Sequence, residues 1–230
     1  ILCLSTFAQN AEPLFRVWSE GKVGFIDKKG KLIIKPQFIQ CGYKFPFSRD
    51  LMVICTQDSD KAGFIDKTGK FVIEQKFDDA YNFSEGLAVV IFDNHGLHNL
   101  GISGFIDKTG KIVIEPIYRN AFSFSEGLAS VGKDGKYGFI DKEGQTKIPF
   151  EFDYAYSFSE GLAIVFKHNN YGFINKKGEF LLEPKFKAAG DFSEGLAWVQ
   201  NDGVACPPYP YSSCITYDNL NSFSLSEAEK

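Results

Sequence analysis

Apolar residues along this chain come in short β-favouring runs separated by turn residues. From Leu128 the pattern reads "LASVGKDGKYGFIDKEGQTKIPFEF". Two such runs, "LASV" and "YGFI", are joined by a Lys-Asp-Gly-Lys turn at 133–136, and "DKEG" then leads into "TKIPFEF". The pattern predicts short antiparallel strands joined as hairpins, and hence an all-β chain.

The pattern also recurs. "GFIDKTGK" stands at 63–70 and again, unchanged, at 104–111, with near copies opening at Gly24, Gly138 and Gly172. The five copies begin 39, 41, 34 and 34 residues apart. A second phrase, "FSEGLA", starts at Phe83, Phe124, Phe158 and Phe192, each 20 residues after the Gly of its own repeat, and a worn version, "FSRDLM", starts at Phe47. Such periods mark arrays in which a unit too small to bury its own apolar face stacks on its neighbours. The array spans 10–199 as one domain.

Backbone geometry accounts for the fixed letters before any chemistry does. In "DKTG" and "DKEG" an Asp that accepts backbone N–H bonds and a Gly that supplies positive φ suit a hairpin turn, so Asp66, Gly69, Asp107, Gly110, Asp141 and Gly144 are expected turn residues. The Gly that opens each copy sits inside a strand pattern, where a neighbouring backbone or ring comes close. Glu85, Glu126, Glu160 and Glu194 are placed to cap backbone N–H groups. Cys41, Ala80, Ala121, Ala155 and Ala189 recur three residues after an aromatic, which predicts tight contact between units. A carboxylate stamped out four times is structural, because an active site needs one constellation in one place. One carboxylate per "DKTGK" is also too few for an EF-type calcium loop.

Composition narrows the functional classes. The chain has 230 residues, 44% hydrophobic, 24 of them Phe, enough for a core. A net charge of −4 offers no basic field for nucleic acid, and no run is long and apolar enough for a transmembrane helix. Residues 1–9 read as the remnant of a secretory signal peptide, with Thr6 and Ala8 at small-residue spacing before a polar run. Removing Cys3 with that segment leaves four cysteines, in keeping with an exported, oxidising setting. Cys41 and Cys55 fall at core positions, while Cys206 and Cys214 lie eight apart across a Pro-Tyr-Pro turn and are either a disulfide or two free thiols.

The tandem "GF-I-D/N-x-x-G" units with their "F-SEG-LA" phrase, from about Leu14 to Val199, resemble the bacterial WG-repeat (KWG-repeat) family. The resemblance implies an all-β repeat module, frequent in exported or envelope-associated proteins, with no catalytic residues to carry over. The namesake Trp before the Gly is here Val23, Ala62, Ser103, Tyr137 and Tyr171.

Breaks in the period are where binding chemistry would sit. The largest, in 93–103, holds Asp93, His95 and His98, weakly spaced metal-ligand candidates that could seat a metal-dependent hydrolase. No nucleophile-elbow, P-loop or dinucleotide motif is present. After Val199 the repeat fails, and 200–230 reads as a degenerate cap and tail.

Three evident strands per repeat, with a short fourth in "AYNF" or "AFSF", favour an open superhelical stack over the alternative, a five-bladed propeller. The functional expectation is a non-enzymatic interaction scaffold without cofactor, secreted, periplasmic or at the cell envelope. It would bind a protein or glycan through its repeat surface.

Overall fold

The computed structural model describes residues 14–39, 51–56, 59–92, 101–201 and 221–224. Among them every regular element is a strand, and all strand pairs are antiparallel. The first unit pairs β1 (Phe15–Ser19), β2 (Lys22–Ile26) and β3 (Leu32–Phe38); the second pairs β4 (Met52–Thr56), β5 (Ser59–Ile65) and β6 (Phe71–Phe77). The third holds β7 (Asp79–Ala80), β8 (Ala88–Phe92), β9 (Ile102–Ile106) and β10 (Ile112–Ala121). The end of β10 then opens the fourth unit, followed by β11 (Ala129–Lys133), β12 (Lys136–Ile140) and β13 (Thr146–Phe152), so these two units form one seven-stranded sheet. The fifth unit is β14 (Tyr154–Ala155), β15 (Leu162–Lys167), β16 (Asn170–Asn175) and β17 (Phe180–Phe186). The sixth is β18 (Ala188–Ala189), β19 (Leu196–Gln200) and β20 (Asn221–Ser224).

The chain is thus an all-β tandem array of small antiparallel sheets, with no closed barrel among the described residues. The short fourth strand lies at "DA", "YA" and "AA", slightly earlier than "AYNF" and "AFSF". Two residues cannot show an alternating pattern, which is why sequence reading misplaces it. Four strands do fit a 34-residue unit, so unit length does not disfavour a propeller-like arrangement. In the sixth unit β20 takes the register that the "GFI" strand holds elsewhere: Ala197 faces Phe223 as Ala88 faces Ile106.

The glycine that opens each repeat is explained by the partner strand. Between the "GFI" strand and the strand that follows it the register slips in each of the first five units, as where Phe105 faces Ile114 but Ser103 faces Tyr118. The bulged backbone then lies against the glycine: a Cβ on Gly104 would sit 2.7 Å from the Ile114 carbonyl oxygen, and one on Gly24 2.6 Å from that of Ile34. No side chain fits there. The residue before that glycine is buried in every repeat, whether Val23, Ala62, Ser103, Tyr137 or Tyr171.

The core lies between units rather than within them. Each apolar cluster joins one unit to the next, and among the described residues none joins the first unit to the sixth. Its regular element is an aromatic pair: Phe64 with Phe83, Phe105 with Phe124, Phe139 with Phe158 and Phe173 with Phe192, ring centroids 4.8–5.2 Å apart. The "GFI" phenylalanine of one unit thereby meets the "FSEG" phenylalanine of the following unit. One sequence repeat straddles two structural units, and its two phrases meet across the boundary. Ala80, Ala121 and Ala155 are buried at these boundaries.

Candidate interaction surface

Two rows of turns run along the array. In the first row the Asp66 Oδ1 accepts from the N–H of Thr68 at 2.8 Å, the N–H of Lys70 at 3.2 Å and the Thr68 hydroxyl at 2.6 Å, while Gly69 N–H donates to the Asp66 carbonyl. Asp107 repeats the set with Thr109 and Lys111, Asp141 with the N–H groups of Glu143 and Gln145, and Asn175 with those of Lys177 and Glu179. Gly69, Gly110 and Gly144 all have positive φ, between 78° and 87°.

These glycines have a second job that the sequence did not show. A Cβ on Gly69 would lie 3.1 Å from Ile34 of the previous unit, with Ile73 under Gly110 and Ile114 under Gly144. The side-chain hydrogen bond from Thr109 leads the effects that hold Asp107 below the ordinary carboxylate pKa. At Asp66 desolvation acts upward but is outweighed by the Thr68 hydroxyl and the backbone N–H groups.

The second row, the "FSEG" turns, is built differently. Each is a two-residue hairpin loop in which Ser and Leu exchange backbone bonds and both Glu and Gly have positive φ; Glu85, Glu126, Glu160 and Glu194 lie between 51° and 56°. A non-glycine residue in this region is strained. Its carboxylate does not cap its own turn. Glu85 accepts from Gly127 N–H at 3.1 Å, Glu126 from Gly161 N–H at 3.0 Å, and Glu160 from the N–H groups of Glu194 and Gly195, both at 2.7 Å. The serines reach the same way, with Ser84 donating to the Phe124 carbonyl, Ser125 to Phe158 and Ser159 to Phe192 at 2.7–2.8 Å.

Lysines complete the ladder: Lys142 pairs with Glu85 at 3.0 Å and Lys176 with Glu126 at 2.9 Å. Lys142 and Lys176, each directly after the Asp or Asn of its first-row turn, thereby acquire a role that sequence reading missed. Desolvation alone would raise the Glu126 pKa, but Lys176 and the Gly161 N–H outweigh it and lower it. The capping of backbone N–H groups is as expected from sequence; the donors belong to the next unit.

Burial raises the Asp79 pKa, and Tyr154, packed among Phe122, Tyr137 and Tyr156, has its phenol raised by burial first and by neighbouring tyrosines second. In the sixth unit this aromatic place is kept by exchange. Gly190 stands where Tyr81, Phe122 and Tyr156 stand, and the Trp198 indole fills the space a side chain on Gly190 would need.

The assignment of Cys55 to the core alone requires correction, because Cys55 is both buried and disulfide-bonded. The chain's other four cysteines, including Cys206 and Cys214, lie outside the described residues, as do Asp93, His95 and His98. His168 sits exposed in a turn with φ of 53°. Among the described residues no helix is long and apolar enough to cross a membrane.

Repeating sheets tied through regularly spaced turns, with packing and hydrogen bonds placed at the joints, define a β-repeat protein. The chain belongs to the family of proteins with the WG containing repeat, whose model matches residues 24–50, 63–94, 104–137, 137–171 and 171–204. Among solved structures it is similar to Hsv2p of Kluyveromyces lactis, at 12% identity and a TM-score of 0.53, over 82% of this chain and 73% of that one. It is also similar to a eukaryotic initiation factor, at 9% identity and a TM-score of 0.56, over 92% of this chain and 60% of that one. Both likenesses are to propeller-like structures and concern the fold alone. No curated protein matches the chain.

Proposed function

We propose that the protein is a non-catalytic interaction scaffold, exported or held at the cell envelope, that binds a protein or glycan partner through its repeat surface. The observation that carries this reading is the use to which the recurring polar residues are put. The Ser, Asp and Glu side chains that recur in the two turn rows are engaged with backbone groups, which leaves the repeat surface itself as the feature on which selection for binding can act. The disulfide at Cys55 supports an oxidising compartment.

The test is a pull-down from envelope extract with the whole chain, repeated with a glycan array, alongside metal analysis of the purified protein. A partner retained by the parent and by a His95→Ala, His98→Ala variant alike is the expected result. Stoichiometric zinc that vanishes with the two histidines, together with a hydrolytic turnover, would sink the scaffold reading.

A further inference from the structure

The first row of turns is not uniform along its length. Directly after the turn, the strand begins with Leu32 and Ile33 in the first unit, with a half-buried Phe71 and then Val72 in the second, and with Ile112 and Val113 in the third; the five aliphatic residues are 46, 39, 47, 37 and 42% exposed. In the fourth unit the same places hold Thr146 and Lys147, and in the fifth Phe180 and Leu181 are half-buried. Exposed large aliphatics at one fixed site in three successive units are not scattered surface residues.

The tips are neighbours. The turn glycine of the second unit lies on Ile34 of the first, and that of the third on Ile73 of the second, so the three tips form one continuous edge. Strand alternation sets which charges flank the aliphatic residues on the face away from the core: Lys31-Ile33-Lys35, then Lys70-Val72-Glu74, then Lys111-Val113-Glu115. The fifth unit has Glu179-Leu181-Glu183 there. Across the three tips with the flanking charges just named, 27–35, 66–74 and 107–115, eight lysines stand against three aspartates and two glutamates, an excess concentrated on the first tip in a chain whose net charge is −4. The oxygens of two of those aspartates, Asp66 and Asp107, are turned onto their own turns.

The occupant must therefore be anionic and must also accept apolar side chains. Its shape follows from a second feature. Leu32 and Ile33 point to opposite faces of β3, as Ile112 and Val113 do of β10, and both members of each pair are exposed. A peptide added to a strand edge or laid in a groove covers one side of such a tip. A fluid interface closes around both.

We propose that the hairpin-tip edge of the first three units docks on a membrane surface bearing anionic lipid headgroups. The aliphatic tips enter the headgroup layer, and the lysines meet the phosphates with their stems along the apolar boundary.

The test is co-sedimentation of the whole chain with vesicles of phosphatidylcholine, alone or with about a third phosphatidylglycerol, at low and high salt. Soluble polyglutamate is the comparison ligand. Three variants accompany the parent: Ile33→Ser, Val72→Ser and Val113→Ser together; Lys31→Glu, Lys70→Glu and Lys111→Glu together; and Lys133→Glu, Lys177→Glu and Lys185→Glu as a charge-matched control remote from the tips. Circular dichroism and melting confirm that each is folded.

The expected result is binding to the anionic vesicles only, weakened by salt, and reduced at least about tenfold in each tip variant. The control should stay within about twofold of the parent. Absence of binding to anionic vesicles, with or without capture by polyglutamate, overturns the proposal, the latter pointing instead to an acidic protein. Equal loss in the control would reduce the effect to net charge and would overturn it as well.

Discussion

The two rows of turns spell equally strict phrases for opposite reasons. In the "DKTG" row the side-chain bonds close within four residues, so each turn could form on its own. In the "FSEG" row the side-chain bonds span 33–42 residues, and each turn satisfies its neighbour. A strict letter in a repeat can thus record a local backbone requirement or a contract between units, and spacing alone does not tell them apart. The difference has an energetic consequence. Damage to the first row should stay where it is made, whereas damage to the second should appear one unit away.

The largest effect should come from the aromatic pairs that underlie the second row. Phe139→Ala empties a fully buried site against Phe158 and should cost about 3–5 kcal/mol. Chemical denaturation should show it as a loss of the fourth and fifth units together; a loss confined to the fourth would contradict packing across the boundary.

Gly69→Val comes next, at roughly 1–3 kcal/mol, because it forces a β-branched residue to φ of 87° and presses it on Ile34. Ala155→Leu should fall in the same range by overpacking a boundary. Thermal melts of the two variants measure both.

Acid should act mainly through lowered carboxylates such as Glu126, Asp141 and Asp153. A carboxylate whose folded pKa lies below its unfolded value adds stability above the unfolded value, and that stability is lost as pH falls through the folded one. Melting temperature should therefore hold down to about pH 5 and decline below about pH 4.5. In Glu126→Gln the decline should be shallower, with a neutral-pH cost of no more than about 1 kcal/mol for so exposed a pair.

Asp66→Asn should be the mildest, under about 0.5 kcal/mol, since Asn175 already makes the same two backbone contacts in the fifth unit. A cost equal to that of Gly69→Val would show that the carboxylate does more than shape its turn.

How much of this was legible in the sequence depends on whether the cause was local. The "DKTG" turns, the strands around them and the all-β array follow from residues within a few positions of one another. The small-residue site at Ala80, Ala121 and Ala155 was legible as a contact because a small side chain is required at a strand position only where a neighbour comes close. The destination of Glu126 was not legible. Its choice between its own turn and the next depends on how two sheets are stacked, and stacking leaves no mark on a single repeat.

Lys142 and Lys176 were hidden for the same reason, since their partners Glu85 and Glu126 lie in the preceding units. The disulfide at Cys55 escaped because a buried cysteine at a strand position reads equally as core. The aliphatic tips escaped because Ile33, Val72 and Val113 look like ordinary strand residues until their exposure is known.

Amide hydrogen exchange in Glu126→Ala tests most directly the claim that the "FSEG" row binds units to one another. The Gly161 N–H, which donates to Glu126 from the following unit, should exchange faster than in the parent, while the Gly127 N–H, held by Glu85 and adjacent to the substituted residue in sequence, should keep its rate. Faster exchange at Gly127 with Gly161 unchanged would show that each Glu caps its own turn, and the account of the array as units joined through these carboxylates would be wrong.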